Sequence, residues 1–205
     1  SDGAAYFDGN QDYITIAGTE VAFNGDFTIS AWIMRTETGV EHTIFSANDA
    51  TSDGARMYID SSDDLVLRLN GGVVTSDTNI ISNFSANRWY YVVGTYSDDN
   101  NEGRIYADGL EVSTSGEVSQ DRSIGVSATP TIGTLSYDTD ANEFKGYICN
   151  VGIWSRVLTQ AEIKSIMWKQ YAGLSDTEKT TLVSWWNMGD AVNVALNSSD
   201  SLATS

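Results

Sequence analysis

The 205-residue chain has one cysteine, one proline and one histidine, and only 11 lysines and arginines against 28 aspartates and glutamates. Each shortage closes off a class of protein. A lone cysteine, Cys149, cannot form an internal disulfide or complete a thiolate-rich zinc or iron–sulfur site. A lone histidine, His42, rules out a multi-histidine metal centre within one chain. The formal net charge of −17 leaves no basic surface to neutralise phosphates, which argues against nucleic acid as a partner. The same sign disfavours a polybasic hold on an anionic membrane. No run approaches the roughly 18 apolar residues of a membrane span, so no membrane insertion is expected. Ser1-Asp2-Gly3 leads at once into Tyr6-Phe7-Asp8 without a leader-like stretch. The expectation is a cytoplasmic chain or a processed piece of something larger, the second being preferred.

What the chain has in quantity is Ser, Thr, Asn and Gly, a mix poor for helices and good for strands and turns. Up to about residue 155 the dominant hydrophobic period is two. Phe27, Ile29, Ala31 and Ile33 fall on one face of an extended segment, and Leu65, Leu67 and Leu69 alternate with Val66 and Arg68. Further strands are predicted over 12–17, 43–46, 55–60, 88–96, 103–107, 110–114, 129–133 and 143–155. Asp108-Gly109 between Arg104–Ala107 and Leu110–Val112 predicts a two-residue type I′ hairpin. Thr159-Gln160-Ala161-Glu162 and Ser175-Asp176-Thr177-Glu178 are two capping boxes, each starting a short helix. Leu182–Met188 returns to an extended pattern, and the tail from Asn193 is polar. Many short strands of this spacing predict an all-β sandwich or barrel in one domain, 1–205, with 173–205 as an extension or closing strand.

Several of these segments resemble a known family. Tyr6-Phe7-Asp8-Gly9, Asp12-Tyr13-Ile14 and Phe27–Ile33 look like the opening of the laminin-G-like (concanavalin A-like lectin/glucanase) jelly rolls. Thr43–Ser46, Trp89–Tyr96, Tyr106–Gly109, Ile132-Gly133, Phe144–Ile148 and Ile153–Ile163 follow in the family's order. The resemblance covers residues 4–172. It implies a two-sheet antiparallel jelly-roll sandwich of the kind found as modules of larger extracellular or virion proteins, many binding glycans or proteins and some holding calcium. Relatives commonly carry an acid after the isoleucine of the closing strand, and in related glucanases it helps hold a structural calcium. Here that position is Cys149, a poor ligand for a cation that prefers hard oxygens.

The fold is shared with glucanases that use two carboxylates at alternating positions on one strand. No Glu-x-Asp-x-Glu segment exists here, and no Gly-x-Ser-x-Gly elbow accompanies His42. Asp60, Asp63 and Asp64 read as solvated turn charges. Asp138, Asp140 and Glu143 form the best local oxygen cluster for calcium, against the plainer reading of an acidic loop face. Trp32, Trp89, Trp154 and Trp168 read as core, and Cys149 as a buried small hydrophobe. Trp185-Trp186 places one indole on each face of a strand, leaving one exposed unless another module covers it. If Met57, Ile59 and the leucines of 65–69 face inward, Tyr58 and Arg68 share the concave outer face, with Tyr137 on a rim loop. These three are the candidate ligand platform. The expected function is a non-catalytic carbohydrate-recognition module at an extracellular, cell or virion surface; the alternatives are an adhesion module binding protein, and a glucanase-like hydrolase.

Overall fold

The computed structural model describes residues 3–16, 25–48, 54–69, 72–76, 84–113, 129–139 and 141–188, with the backbone of 193–194. In chain order the strands are β1 (Ala5–Asp8), β2 (Ile14–Thr15), β3 (Phe27–Arg35), β4 (His42–Asn48), β5 (Gly54–Ile59), β6 (Leu65–Leu69) and β7 (Gly72–Thr75). They continue as β8 (Tyr90–Ser97), β9 (Glu102–Ala107), β10 (Leu110–Glu111), β11 (Thr131–Ile132), β12 (Lys145–Trp154), β13 (Leu182–Trp186) and β14 (Asn193–Val194). Helices α1 (Gln160–Ile166) and α2 (Asp176–Lys179) lie between β12 and β13.

Two antiparallel sheets result. One runs β10-β9-β8-β3-β12-β13-β14, with β1 also paired to β12; the other runs β2-β11-β4-β5-β6-β7. This is the two-sheet jelly-roll sandwich expected from the alternation. Phe27, Ile29, Ala31 and Ile33 are buried together and share the central core with Met57, Ile59, Leu65, Leu67 and Leu69 of the other sheet. The hairpin forms with both turn residues at positive φ, Asp108 at 50° and Gly109 at 78°, as a type I′ turn requires.

Strand β12 organises the larger sheet. Its first half pairs with β1 and its second half with β13, on the same edge, while β3 takes the other edge. The register against β3 slips between Cys149 and Gly152, where Asn150 adopts φ 49°. Gly146, at φ 142°, has no room for a side chain, since a Cβ there would meet the backbone of Met34 and Arg35. Only glycine fits where β3 and β12 approach this closely.

The C-terminal quarter covers part of the larger sheet's outer face. Both capping boxes are present, at Thr159/Glu162 and at Ser175/Glu178. Ile163 and Ile166 of α1 pack with Tyr91, Val93, Tyr106, Trp154 and Trp185 into a second core. Trp154 Nε1 donates to the Glu178 carbonyl at 2.8 Å, tying α2 to the sheet. Burial by itself would raise the Glu178 carboxyl. Hydrogen bonds from Lys169, Ser165 and Ser175 outweigh it and hold the group at about 2.

Several expectations are corrected here. Trp185 and Trp186 are both buried, at 1 % and 2 % exposure, because the chain's own helical layer covers one indole and the central core takes the other. Trp168 is 76 % exposed and Trp89 37 % exposed; neither is a core residue. Trp168 comes after α1 has ended, so helical spacing no longer aims it at the sheet. Cys149 is only half-buried, since it pairs with Trp32 on the outer face of its sheet. Asp63 is no free turn charge: its Oδ1 lies 2.7 Å from Nη1 of the buried Arg35, whose Nη2 donates to the Phe84 carbonyl.

Candidate functional site

The outer face of the six-stranded sheet is set by the register of β4, β5 and β6. Met57 stands opposite Leu67, and both enter the core. The alternate residues must then point away: Arg56 stands opposite Arg68, and Tyr58 opposite Val66. On the other side of β5, Ser46 opposes Arg56 and Thr43 opposes Tyr58. Ile44 is taken up by an irregularity between Thr43 and Phe45, which keeps both polar residues on the outer face. Tyr58 and Arg68 therefore share one face, the placement that the alternation implies.

Arg56 is the centre of this surface. Its guanidinium carbon lies 4.1 Å above the Tyr58 ring, and Nη2 reaches Glu41 Oε1 at 2.5 Å and Thr43 Oγ1 at 2.6 Å. The Nε atoms of Arg56 and Arg68 are both buried without a hydrogen-bond partner. Burial raises the Tyr58 phenol above its ordinary value, so it stays a neutral hydrogen-bonding group near neutral pH. Arg56 and Tyr58 are buried, Arg68 is half-buried and Val73 of β7 is 48 % exposed. The face thus opens to solvent toward β6 and β7.

Tyr137 flanks the opposite side. It lies in the loop after β11 and is 44 % exposed. The loop is fastened to β4 through Ser136, which shares a hydrogen bond with Ser46 Oγ at 2.9 Å and accepts from Asn48 N at 3.0 Å. No ring contact or hydrogen bond joins Tyr137 to Tyr58 or Arg68 among the described residues. Sequence alternation brought Tyr58 and Arg68 together; the opposition of two arginines, and the Glu41 that answers one of them, depends on register and has no local signal.

The acidic cluster is placed differently. Asp138 is exposed, Asp140 lies outside the described residues, and the Glu143 carboxylate accepts from the Gln11 backbone N–H. Among the described residues no three histidine, cysteine or acidic side chains are placed to hold a metal ion. At the position where the resemblance implies a calcium-ligating acid, Cys149 lines an open groove on the opposite sheet. His42 is buried at the start of β4, with Nδ1 3.3 Å from the Glu143 carbonyl oxygen and its ring 5.6 Å from that of Phe144. Burial holds its pKa below the ordinary 6.5 against the opposing pull of that carbonyl.

The family model described as the concanavalin A-like lectin/glucanase superfamily (Laminin G type) matches residues 8–164. The chain belongs to this superfamily. No curated protein matches it. Among solved structures, this concanavalin A-like domain is similar to a candidate carbohydrate-binding protein from Bacteroides ovatus, with a TM-score of 0.71 and 19 % identity over 92 % of this chain and 52 % of that one. It therefore spans about half the length of that relative. It is also similar to the CBM40 of the Ruminococcus gnavus IT-sialidase bound to α2,3-sialyllactose, with a TM-score of 0.62 and 11 % identity over 80 % of this chain and 96 % of that one. A third is domain 4 of AbnA, a GH43 extracellular arabinanase from Geobacillus stearothermophilus, in complex with arabinotriose: TM-score 0.60, 18 % identity, 82 % of this chain and 79 % of that one. At these identities the likeness is one of fold.

Proposed function

We propose that this concanavalin A-like domain is a non-catalytic carbohydrate-recognition module that reads a glycan on the outer face of its six-stranded sheet. The observation that carries this reading is the Arg56–Arg68 pair. Two guanidinium groups directly opposite one another repel, and each keeps a buried Nε–H unpartnered. The solvent-open part of Arg68 is where a ligand can act, and one that supplies oxygen acceptors there offsets the repulsion. Vicinal hydroxyls or a sugar carboxylate suit the planar guanidinium fork, Tyr58 adds a phenol beside it, and Tyr137 stands on the far flank of the face. The complexes of two structural relatives with sialyllactose and arabinotriose support a glycan as the ligand class.

The non-catalytic part rests on the face's chemistry. Retaining hydrolysis needs two carboxyls about 5 Å apart astride the scissile bond. The outward positions described on β4, β5 and β6 carry Thr43, Ser46, Arg56, Tyr58, Val66 and Arg68, with no carboxylate pair among them. We further propose that the module serves within a larger surface or extracellular protein. A shallow site of this kind binds weakly alone and gains through repetition.

A glycan array read with the wild-type domain and the Arg68→Gln variant tests the proposal. Binding to a defined glycan class that the variant loses is the expected result. Binding to no glycan, with and without calcium, leaves a protein-contacting adhesion module as the better reading. Hydrolysis of a β-glucan overturns the non-catalytic assignment.

A further inference from the structure

The opposite sheet carries a second surface of different chemistry. Where α1 ends, its covering layer stops short and leaves a groove of about 640 Å³ on the outer face of the eight-stranded sheet. Small-ligand sites typically occupy ~300–1,000 Å³. Cys149 and Trp32, paired across β12 and β3, belong to its lining, with Trp89 and Asp108 from the ends of β8 and β9. The segment Met167–Gln170, which follows α1, supplies further lining.

The aromatic groups are held in place although they are open to solvent. Trp32 Nε1 donates to the Met167 carbonyl at 2.8 Å, which consumes its one polar atom and fastens the segment to the sheet. Trp32 therefore offers only a ring face. Trp168 lies 5.1 Å from it, centroid to centroid, at 44°. Trp89 is 37 % and Trp168 76 % exposed. An indole left this open costs free energy unless something covers it.

The charges in the groove are already answered. Asp108 accepts from Tyr91 N at 3.0 Å and from Arg88 Nη2 at 3.3 Å. Lys169 is committed to Glu178 at 2.6 Å. The uncharged polar side chains of the described lining include the carboxamides of Asn150 and Gln170. A ligand here meets stacking faces and neutral amides but no free charge, and it approaches a chain of net charge −17.

We infer that this groove is a second ligand site, for a short neutral oligosaccharide whose pyranose C–H faces cover Trp89 and Trp168 while its hydroxyls bond to the Asn150 carboxamide. C–H groups carry a partial positive charge suited to the electron-rich indole face, and hydroxyls exchange equally well with amide donors and acceptors. Among the described lining residues no uncompensated cation remains, which disfavours an anionic sugar. This site is independent of the arginine face, which lies on the other sheet.

Cys149 provides a local reporter, as the chain's one thiol and part of the groove lining. The test measures the rate of Cys149 alkylation by a maleimide, with tryptophan emission, in the presence of cellohexaose, xylohexaose, laminarihexaose or mannohexaose. One or more of these should slow labelling several-fold and shift the emission in wild type and in Arg68→Gln, but not in Trp168→Ala. Trp168 is exposed, so that variant keeps the wild-type melting temperature. Three results would overturn the inference: no protection by any of the four at roughly millimolar concentration, protection that survives Trp168→Ala, or concentration-dependent self-protection with a sedimenting dimer. Protection that persists in Arg68→Gln separates this site from the arginine face, so either site can fail without the other.

Discussion

Arg56 and Arg68 stand directly opposite one another on β5 and β6, with a single described carboxylate, Glu41, paired to the first and none to the second. In a chain of net charge −17 this is a local inversion of sign. Arg68→Gln should leave stability unchanged or slightly raised, because a like-charge pair is relieved. It should cost about 1.5–3 kcal/mol of glycan binding, a ten- to roughly hundredfold rise in Kd. Calorimetric titration with the best array ligand, beside thermal melts of both proteins, measures the two effects separately.

Arg35 is 2 % exposed and depends on Asp63. Asp63→Asn leaves a buried guanidinium without its counter-charge and should destabilise the fold by about 3 kcal/mol. Asp99→Asn, at an exposed turn, should stay within about 0.5 kcal/mol of wild type. Urea unfolding of the three proteins decides it; equal midpoints would mean that the ion pair contributes nothing net.

His42 is the chain's one histidine, so an acid-induced loss of stability near its ordinary pKa is attributable to it. Burial depresses its folded-state value below 6.5, which the unfolded chain restores. The unfolded state then binds the proton more readily in the window below 6.5, so stability is fully present above that pH and falls as pH drops toward the folded value. His42→Gln should flatten this slope. Melting temperatures between about pH 7 and pH 5 would show it as a wild-type decline that the variant lacks.

The structural calcium of the family's closing strand should not form here, because Cys149 occupies the position where the family resemblance implies an acid. The melting temperature in millimolar calcium should equal that after chelation. A calcium-dependent rise would show a site that binds the native state, since only such binding stabilises it.

Much of the sandwich could be read from local pattern. The alternation in Phe27–Arg35 and Leu65–Leu69, the Asp108-Gly109 turn and the two capping boxes are each written within a few residues, because backbone geometry and short-range hydrogen bonds decide them. Local pattern misplaces Trp168 and Trp89 for the same reason, while Trp154 is buried as expected. Helical spacing says which way Trp168 would point if α1 continued, but α1 stops at Ile166. Trp89 precedes an apolar strand, yet it lies outside the β8 pairing and near the rim of the sheet.

By itself, the sequence determined the class of the fold and the face to which Tyr58 and Arg68 belong, since a period of two is a property of single strands. Only the tertiary structure decided what those faces meet. That Arg56 opposes Arg68, that Asp63 answers Arg35, and that the helical layer buries Trp185 but leaves Trp168 open are pairings between separate segments of the chain. They follow from strand register and from where a covering layer ends, neither of which any local window of residues contains.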